Sequence, residues 1–148
     1  MIEDLASEEI EMTTTFKGGC ACGAVRYTGN GEPELTFFCH CSACQKESGG
    51  PFAVEFLIPR AAVTINGSMS SYDSTAYTGN KVSRKFCTTC GCPIVFEMEG
   101  YPEHVCIKAG SLDDAAWISP QAHIFTATKQ PWVHISDDLP QYEGDYEE

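Results

Sequence analysis

Cysteine is the residue type whose number and spacing point most directly to chemistry, because the 148 residues include nine of them. Cysteines two or three positions apart on tight turns can direct both sulfurs at one ion, and tetrahedral Zn²⁺ accepts such thiolates at about 2.3 Å. An odd number of cysteines fits a complete disulfide framework poorly. The sequence therefore predicts metal binding by residues in three clusters, with one further cysteine alone: Cys20-x-Cys22, Cys39-x-Cys41-x-x-Cys44, Cys87-x-x-Cys90-x-Cys92 and Cys106.

The clusters differ in how many sulfurs they can offer to one ion. Two pairs that are far apart in sequence can form a closed four-sulfur site, which is the usual structural arrangement for zinc. The middle cluster, from Cys39 to Cys44, places three sulfurs within six residues. Three protein ligands leave one coordination position open, as in catalytic zinc sites. The spacing alone does not decide which pairs combine.

Acidic residues are concentrated at the two ends of the sequence and account for most of its formal charge of −12. Residues 1–11 hold five carboxylates and residues 137–148 hold six, with no Lys or Arg in either range, whereas residues 12–136 carry a net charge of −1. We therefore expect one domain over 12–136 between two acidic tails, at 1–11 and 137–148, that are solvated and frayed.

The composition also bears on partners and location. No basic stripe is present to attract phosphate backbones, so we expect no nucleic-acid partner. No apolar run approaches the ~18–20 residues that a membrane span needs, and the first residues lack the basic flank and apolar stretch of a secretory signal. We expect a soluble, cytoplasmic protein with no membrane partner, and the sequence leaves its oligomeric state unknown.

Most segments between the cysteine clusters are rich in β-branched and aromatic residues and are separated by Gly and Asn turns, as is typical of short strands. No segment sustains helical periodicity for three turns, and short helical turns are expected only at 42–47 and 113–117. The sequence thus predicts one small all-β domain pinned by metal, with strands at 24–28, 35–38, 52–58, 62–65, 93–98 and 104–108.

Six motifs occur in a fixed order along the chain: Gly18-Gly19-Cys20-x-Cys22-Gly23-x-Val25-Arg26-Tyr27, Cys39-His40-Cys41-x-x-Cys44-Gln45-Lys46, Ser83-Arg84-Lys85-Phe86-Cys87-x-x-Cys90-Gly91, Gly110-Ser111-Leu112-Asp113-Asp114, Pro120-x-x-His123-Ile124 and Lys129-x-x-Trp132. Together they resemble the glutathione-dependent formaldehyde-activating enzyme family, which also includes centromere protein V. The resemblance covers roughly residues 16–142, which is almost the whole chain.

The resemblance implies a fold, a cofactor and an activity. The fold would be a zinc-bearing β domain of the β-tent type with two Zn²⁺ per chain. The activity would be that of a carbon–sulfur lyase, which joins glutathione and formaldehyde reversibly as S-(hydroxymethyl)glutathione; a related small thiol or another thiol adduct is the alternative substrate. By the same resemblance, four cysteines would hold a structural zinc and three a catalytic zinc: Cys20, Cys22, Cys87 and Cys90, and Cys39, Cys41 and Cys44.

Polar and cationic residues beside the cysteines are the candidates for binding substrate. The glycine-bearing loop after Cys44 could cradle a peptide carboxylate, and the cations before Cys87 could compensate the charge of an added thiolate. An ordinary surface turn and a solvated strand end are the alternatives. The candidate residues are Gln45, Lys46, Ser48, Gly49, Arg84 and Lys85.

Other residues have simpler interpretations. His40 lies between two predicted ligands, and in an extended segment its side chain would point away from the metal. His104 and His123 are expected to pack in strands, Cys106 to be a small buried apolar residue, and Cys92 to lie close to a metal ligand.

Two other functions compete with an enzyme. One is a non-catalytic zinc module for protein interaction, and the other is a redox protein that cycles its cysteines. The intact three-sulfur cluster favours the enzyme, and thiolates held on zinc are not free to form disulfides.

Overall fold

The computed structural model of the chain describes residues 15–148, so the acidic tail predicted over 1–11 lies outside the described residues. Within them, ten strands and one α-helix form a mostly-β domain, which confirms the predicted fold class. The elements in chain order are β1 (Thr15–Gly19), β2 (Arg26–Asn30), β3 (Leu35–Cys39), α1 (Ser42–Ser48), β4 (Ala53–Pro59), β5 (Val63–Asn66), β6 (Met69–Thr75), β7 (Lys81–Cys87), β8 (Pro93–Met98), β9 (His104–Lys108) and β10 (Ala122–Ile124).

The strands form two sheets. Three of them make a small antiparallel sheet in the order β1-β2-β5, and the other seven make a large sheet in the order β10-β3-β4-β9-β8-β7-β6. Every pair in the large sheet is antiparallel except β10 with β3. In each strand, the side chains of successive residues alternate between the two faces of the sheet.

One face of the large sheet packs against the small sheet. Phe16 of β1 meets Phe56 of β4 edge-on with ring centroids 5.5 Å apart, and Trp117 stacks on Phe16 at 5.8 Å. The opposite face carries α1 and a second apolar cluster, to which buried cysteines contribute. Its buried members are Phe37, Cys39, Cys44, Ala53, Phe96, Cys106 and Ile124.

The helix α1 has a clear start and end. Cys41 is its N-cap, and the Cys41 sulfur accepts a hydrogen bond from the backbone N–H of Cys44. Gly49 ends it with a φ of 71°, a left-handed conformation that favours glycine. The short helical turn predicted at 42–47 is thus confirmed. The one predicted at 113–117 is wrong, because this segment is not helical and contains a single hydrogen-bonded turn in which Ile118 N–H donates to Ala115 O.

The described residues contain no helix that is long and apolar enough to cross a membrane.

The C-terminal segment lies against the edge strand β10. His123 N–H donates to Pro140 O at 2.9 Å and Tyr142 N–H donates to His123 O at 2.9 Å, and Phe125 N–H donates to Gly144 O at 2.7 Å. Residues 140–144 therefore are not frayed, contrary to the expectation for 137–148. The physical reason is that an edge strand presents unpaired backbone groups, which this segment satisfies.

Candidate metal centres and active site

Four cysteine sulfurs meet where a loop of the small sheet reaches a loop of the large sheet. Cys20 and Cys22 follow β1, Cys87 ends β7 and Cys90 follows it, and the four Sγ atoms lie within 4.8 Å of one another. Cys22 Sγ is 3.6 Å from Cys20 Sγ and 3.7 Å from Cys87 Sγ. Sulfurs placed tetrahedrally at about 2.3 Å from zinc would be about 3.8 Å apart. This four-cysteine cluster thus fits a closed zinc site.

The two loops of the four-cysteine cluster share one local construction. A glycine with positive φ follows the second cysteine of each: Gly23 at 83° and Gly91 at 77°. Gly23 N–H donates to Cys20 O at 3.2 Å, and Gly91 N–H donates to Cys87 O at 2.9 Å. Because only glycine adopts this conformation readily, the glycine after each pair of cysteines allows the tight turn that brings the two sulfurs together.

Backbone N–H groups stabilise negative charge on these sulfurs. Val25 N–H donates to Cys20 Sγ at 3.2 Å, and the N–H groups of Thr89 and Cys90 donate to Cys87 Sγ at 3.3 and 3.4 Å. The bond from Val25 is the largest influence on Cys20, and the pKa of this thiol is lowered to about 6. Cys20 therefore favours the thiolate, which is the form that binds metal.

The second cluster is built on the junction between β3 and α1. Cys39 ends β3, Cys41 caps the helix and Cys44 lies in its first turn, with the three Sγ atoms within 4.8 Å of one another. Cys39 and Cys44 are buried and Cys41 is half-buried. Hydrogen bonds with Cys39 and Cys44 lower the pKa of the Cys41 thiol. We call these residues the three-cysteine cluster.

Both clusters could hold a metal ion. All nine cysteines are free thiols, so no disulfide competes for the sulfurs. Sites built only from thiolates favour zinc among the common divalent ions. Four sulfurs complete a tetrahedron, whereas three leave one position for another ligand.

Charged side chains surround Cys44. Glu55, which is fully buried, places Oε1 3.4 Å from Cys44 Sγ and Oε2 2.7 Å from Lys108 Nζ. Lys108 Nζ also donates to Glu47 Oε1, which accepts a second bond from Arg84 Nη1 at 2.7 Å. Arg84 Nη1 lies 3.9 Å from Cys44 Sγ. These five side chains close into a ring, which we call the charged ring.

The register of the large sheet places the three strand residues of the charged ring on one face. Glu55 of β4 lies opposite Lys108 of β9, and Arg84 of β7 lies opposite Phe96 of β8. Directly opposite residues of antiparallel neighbours share a face. Both cations lie over the Phe96 ring, with Arg84 Cζ 5.4 Å and Lys108 Nζ 5.1 Å from its centroid. An aromatic face favours buried cations at such distances.

Three members of the charged ring are not among the residues predicted from the sequence: Glu47, Glu55 and Lys108. A signal existed for Glu55, since it is the only charged residue in the apolar run over 52–58. A carboxyl group buried in a strand is costly without a partner, so its presence indicates one. No comparable signal marks Glu47 or Lys108, because their pairing joins a helix residue to a strand residue far apart in sequence.

Two cavities share Glu47 and Pro93 in their linings. The large cavity, of about 620 Å³, is bordered by Lys46, Arg84 and the two residues of α1 between Cys41 and Cys44. The small cavity, of about 340 Å³, is bordered by Lys108 and by residues at the start of β4. Both volumes fall in the range of about 300–1,000 Å³ that is typical of small-molecule sites.

The predicted cations separate into two groups. Lys46 and Arg84 border the large cavity beside the three-cysteine cluster. Lys85 instead pairs with Glu97 at 2.9 Å, because neighbouring residues of a strand point to opposite faces. The structure therefore brings two of the three predicted cations to the candidate active site.

Gln45 braces the helix α1. Its side-chain nitrogen donates to His40 O at 2.7 Å and to Thr128 O at 3.0 Å, and its oxygen accepts from Gln130 Nε2 at 2.7 Å. These bonds tie the helix to the segment after β10. The polar atoms of Gln45 are thus occupied within the protein.

Ser48 and Gly49 close the same helix. Ser48 Oγ bonds with Gln45 O at 3.4 Å and with Phe52 O at 3.2 Å, and Ser48 also borders the small cavity. Gly49 N–H donates to Gln45 O at 2.9 Å as the C-cap. Most of the loop that the sequence predicts after Cys44 is therefore the helix α1, and Ser48 and Gly49 serve to end that helix.

His40 points to other rings, as the sequence predicts for a residue between two ligands. It is fully buried, its Nε2 lies 2.9 Å from His123 Nδ1, and its ring centroid is 5.3 Å from that of Phe52. His123 Nε2 in turn lies 3.0 Å from an oxygen of Asp137. Burial lowers the pKa of His40 to about 4, which keeps the ring neutral. Its Nδ1 has no hydrogen-bond partner within residues 15–148.

Cys92 and Cys106 belong to neither cluster. Cys106 is 1% exposed and packs in the apolar cluster under α1, which confirms the prediction of a small buried residue. Cys92 is half-buried, borders the small cavity and lies with its sulfur 3.7 Å from Pro93 O. Burial raises the pKa of both thiols.

Comparison with known proteins identifies both a fold neighbour and a family. A crystal structure of a Rhodobacter sphaeroides protein is similar, with a TM-score of 0.51 and 20% sequence identity over 84% of this chain and 98% of that chain. At this identity the similarity concerns the fold alone. The family model described as glutathione-dependent formaldehyde-activating enzyme matches residues 15–128, which include both cysteine clusters. The chain therefore belongs to the glutathione-dependent formaldehyde-activating enzyme family.

Proposed function

We propose that this protein is a zinc-dependent carbon–sulfur lyase that forms and cleaves the hydroxymethyl adduct of glutathione or of a related small thiol. The observation that carries the proposal is the three-cysteine cluster, whose three sulfurs lie within 4.8 Å of one another and whose Cys44 Sγ is 3.9 Å from Arg84 at the border of the large cavity. A purely structural zinc would need a fourth protein ligand. Family membership supports glutathione and formaldehyde as the reactants.

The cysteines divide between two zinc ions in this proposal. When bound, the second zinc supplies a positive centre that favours the thiolate over the thiol form of a sulfur ligand. The resulting sites would be a structural zinc on the four-cysteine cluster and a catalytic zinc on the three-cysteine cluster: Cys20, Cys22, Cys87 and Cys90, and Cys39, Cys41 and Cys44.

The cations of the large cavity would bind and orient the peptide. Glutathione carries two carboxylates, and Lys46 and Arg84 border the cavity in which they would lie. Arg84 is also 3.9 Å from Cys44 Sγ, so its charge offsets negative charge on the three-cysteine cluster. Glu47 borders both cavities and can accept a bond from the ammonium group of the peptide.

Exchange spectroscopy by NMR tests the proposal. Protein with both sites loaded is mixed with glutathione and carbon-13-labelled formaldehyde, and the rate of exchange between free and glutathione-bound formaldehyde is measured. The expected result is exchange faster than the spontaneous reaction, in proportion to protein concentration. Exchange at the spontaneous rate at full zinc content would contradict the enzyme and would leave the non-catalytic zinc module.

A further inference from the structure

Lys108 is a buried ammonium group at the border of the small cavity. The residue is 8% exposed, and lysine is rarely so buried without partners. Its Nζ donates to Glu55 Oε2 at 2.7 Å and to Glu47 Oε1. An ammonium group has three N–H donors and no acceptor, so these bonds use two of them.

The third N–H donor has no hydrogen-bond partner within residues 15–148 and can bind a ligand. Within residues 15–148 the hydrogen bonds of Lys108 Nζ are the two to carboxylates, and Phe96 lies under the group at 5.1 Å. Lys108 borders the cavity of about 340 Å³, together with Gly110 and Ser111 of the turn that follows it. A one-carbon carbonyl compound is small enough to enter such a cavity and offers one acceptor oxygen.

Lys108 is held in place from the backbone side as well. Ser111 Oγ donates to Lys108 O at 2.7 Å and is itself 2.7 Å from the Tyr27 hydroxyl. Both ends of the lysine are therefore fixed by buried hydrogen bonds. A donor that is oriented before the substrate arrives stabilises developing charge without reorganisation.

The charge of Lys108 persists in this environment. Burial by itself lowers the pKa of the ammonium group, but the carboxylates of Glu55 and Glu47 outweigh it, and the pKa is raised above its ordinary value. The group therefore remains a cation at neutral pH, and it acts through its charge and its N–H bond.

We propose that Lys108 is a catalytic residue that binds the carbonyl oxygen of the aldehyde and stabilises the negative charge that develops there. The inference rests on the proposed function. A lone pair of the substrate sulfur forms the carbon–sulfur bond while the π electrons of the carbonyl move to oxygen beside Lys108. The oxygen then takes a proton from water, and the thiol proton is released to solvent. Cleavage of the adduct follows the same steps in reverse.

A purely structural role for Lys108 makes different predictions. If the lysine only neutralised Glu55, its loss would lower stability, metal content and glutathione affinity together. If it binds the carbonyl oxygen, its loss lowers the rate at saturating substrate but leaves glutathione affinity unchanged when formaldehyde is absent. The comparison between rate and affinity therefore separates the two roles.

The test compares Lys108→Met and Lys108→Arg with the unaltered protein. Exchange of labelled formaldehyde is measured by NMR, glutathione affinity by calorimetry without formaldehyde, and zinc per chain by mass spectrometry. Removal of one donor to a developing oxyanion typically slows catalysis by about 10²–10³-fold, so we expect a loss of at least about 100-fold for K108M. K108R keeps a charge and N–H donors, so its loss of rate is expected to be smaller than that of K108M. Lys81→Met, at an exposed position, is the matched control for removal of a lysine.

Each outcome bears on the proposal. Unchanged exchange in K108M at full zinc content, or equal losses of rate and glutathione affinity, would overturn the role of Lys108. If K108M does not fold, the double variant K108M/E55Q removes both buried charges and the donor at position 108 together, and the same loss of rate at full zinc content is expected of it. If the unaltered protein itself gives no acceleration, the proposed function fails first, and the role of Lys108 falls with it.

Discussion

Glu55 Oε1 lies 3.4 Å from Cys44 Sγ, so the three-cysteine cluster rests directly on a carboxyl group that has no exposed surface. The other oxygen of the same carboxyl group pairs with Lys108. One side chain thereby links the candidate metal centre to the cation of the small cavity. The charged ring is thus part of the core of the domain as well as part of its candidate active site.

Substitution of Glu55 should destabilise the fold. Glu55→Ala leaves Lys108 with Glu47 as its remaining carboxylate, and removal of one partner of a buried pair costs about 3–5 kcal/mol. We expect a loss near the lower end, about 3 kcal/mol in the free energy of unfolding by urea titration, and less for E55Q, whose amide oxygen still accepts a bond. The exposed Glu103→Ala is the control and should stay within about 0.5 kcal/mol of the unaltered protein. Equal stability of E55A and the control would contradict the ion pair.

Neighbouring residues of α1 should respond in opposite ways to substitution. Lys46 is exposed and borders the large cavity, so Lys46→Ala should weaken glutathione binding about fivefold, which corresponds to about 1 kcal/mol, without changing stability. Gln45→Ala removes three internal hydrogen bonds and should lower the free energy of unfolding by about 1–2 kcal/mol with little effect on binding. Calorimetry and thermal unfolding measure the two effects. The reverse pattern would exchange the roles assigned to these residues.

Gly18 should not tolerate a side chain. A Cβ atom at Gly18 would lie 2.3 Å from the Tyr27 hydroxyl, which belongs to the hydrogen-bond chain that ends on Lys108, and 2.4 Å from the backbone oxygen of Ser111. We expect Gly18→Ala to lower the free energy of unfolding by about 1–3 kcal/mol, as overpacking of a buried site does. Gly110→Ala is the matched control, because nothing lies within 4 Å of a Cβ atom there. Similar unfolding midpoints for the two variants would show that the Tyr27–Ser111 contact can yield.

The hydrogen-bonded pair of Asp137 and His123 should make the free energy of unfolding depend on pH. The hydrogen bond with His123 lowers the pKa of Asp137 below its ordinary value, so the folded state favours the carboxylate. The stability that this adds is therefore present above the unfolded pKa of about 3.9 and is lost as the pH falls through the lowered value. The free energies of unfolding of the unaltered protein and of Asp137→Asn, measured by fluorescence, should differ at about pH 5 and converge as the pH is lowered further. Acid-induced loss of metal cancels in this difference, because both proteins carry the same cysteines. A difference that grows as the pH falls would contradict the assignment.

The sequence predicted the strands whose composition is apolar and missed those whose composition is polar. β4, β8 and β9 are buried and read as apolar runs, and they lie in the middle of the large sheet. β6 has the sequence MSSYDST with no fully buried residue, and it is the edge strand next to β7. β6 is stabilised by backbone hydrogen bonds with β7, and the amino-acid composition of a strand does not predict such pairing.

The metal clusters were more predictable than their surroundings. Cysteine spacing and turn glycines are local features, so the sequence indicates which residues could bind metal. The charged ring depends on contacts between residues far apart in sequence, such as Cys44 with Arg84 and Glu55 with Lys108. The meeting of Glu55 with Lys108 is set by sheet register, which a single sequence specifies only through the alternation of buried residues.

Formaldehyde exchange in Cys41→Ser distinguishes a reaction centre at the three-cysteine cluster from a purely structural role. This variant loses the half-buried sulfur of the three-cysteine cluster and leaves the four-cysteine cluster intact. We predict a folded protein with one zinc per chain instead of two, whose exchange between free and glutathione-bound formaldehyde is no faster than the spontaneous reaction. A folded C41S protein that still accelerates the exchange as the unaltered protein does would show that the three-cysteine cluster is not the reaction centre.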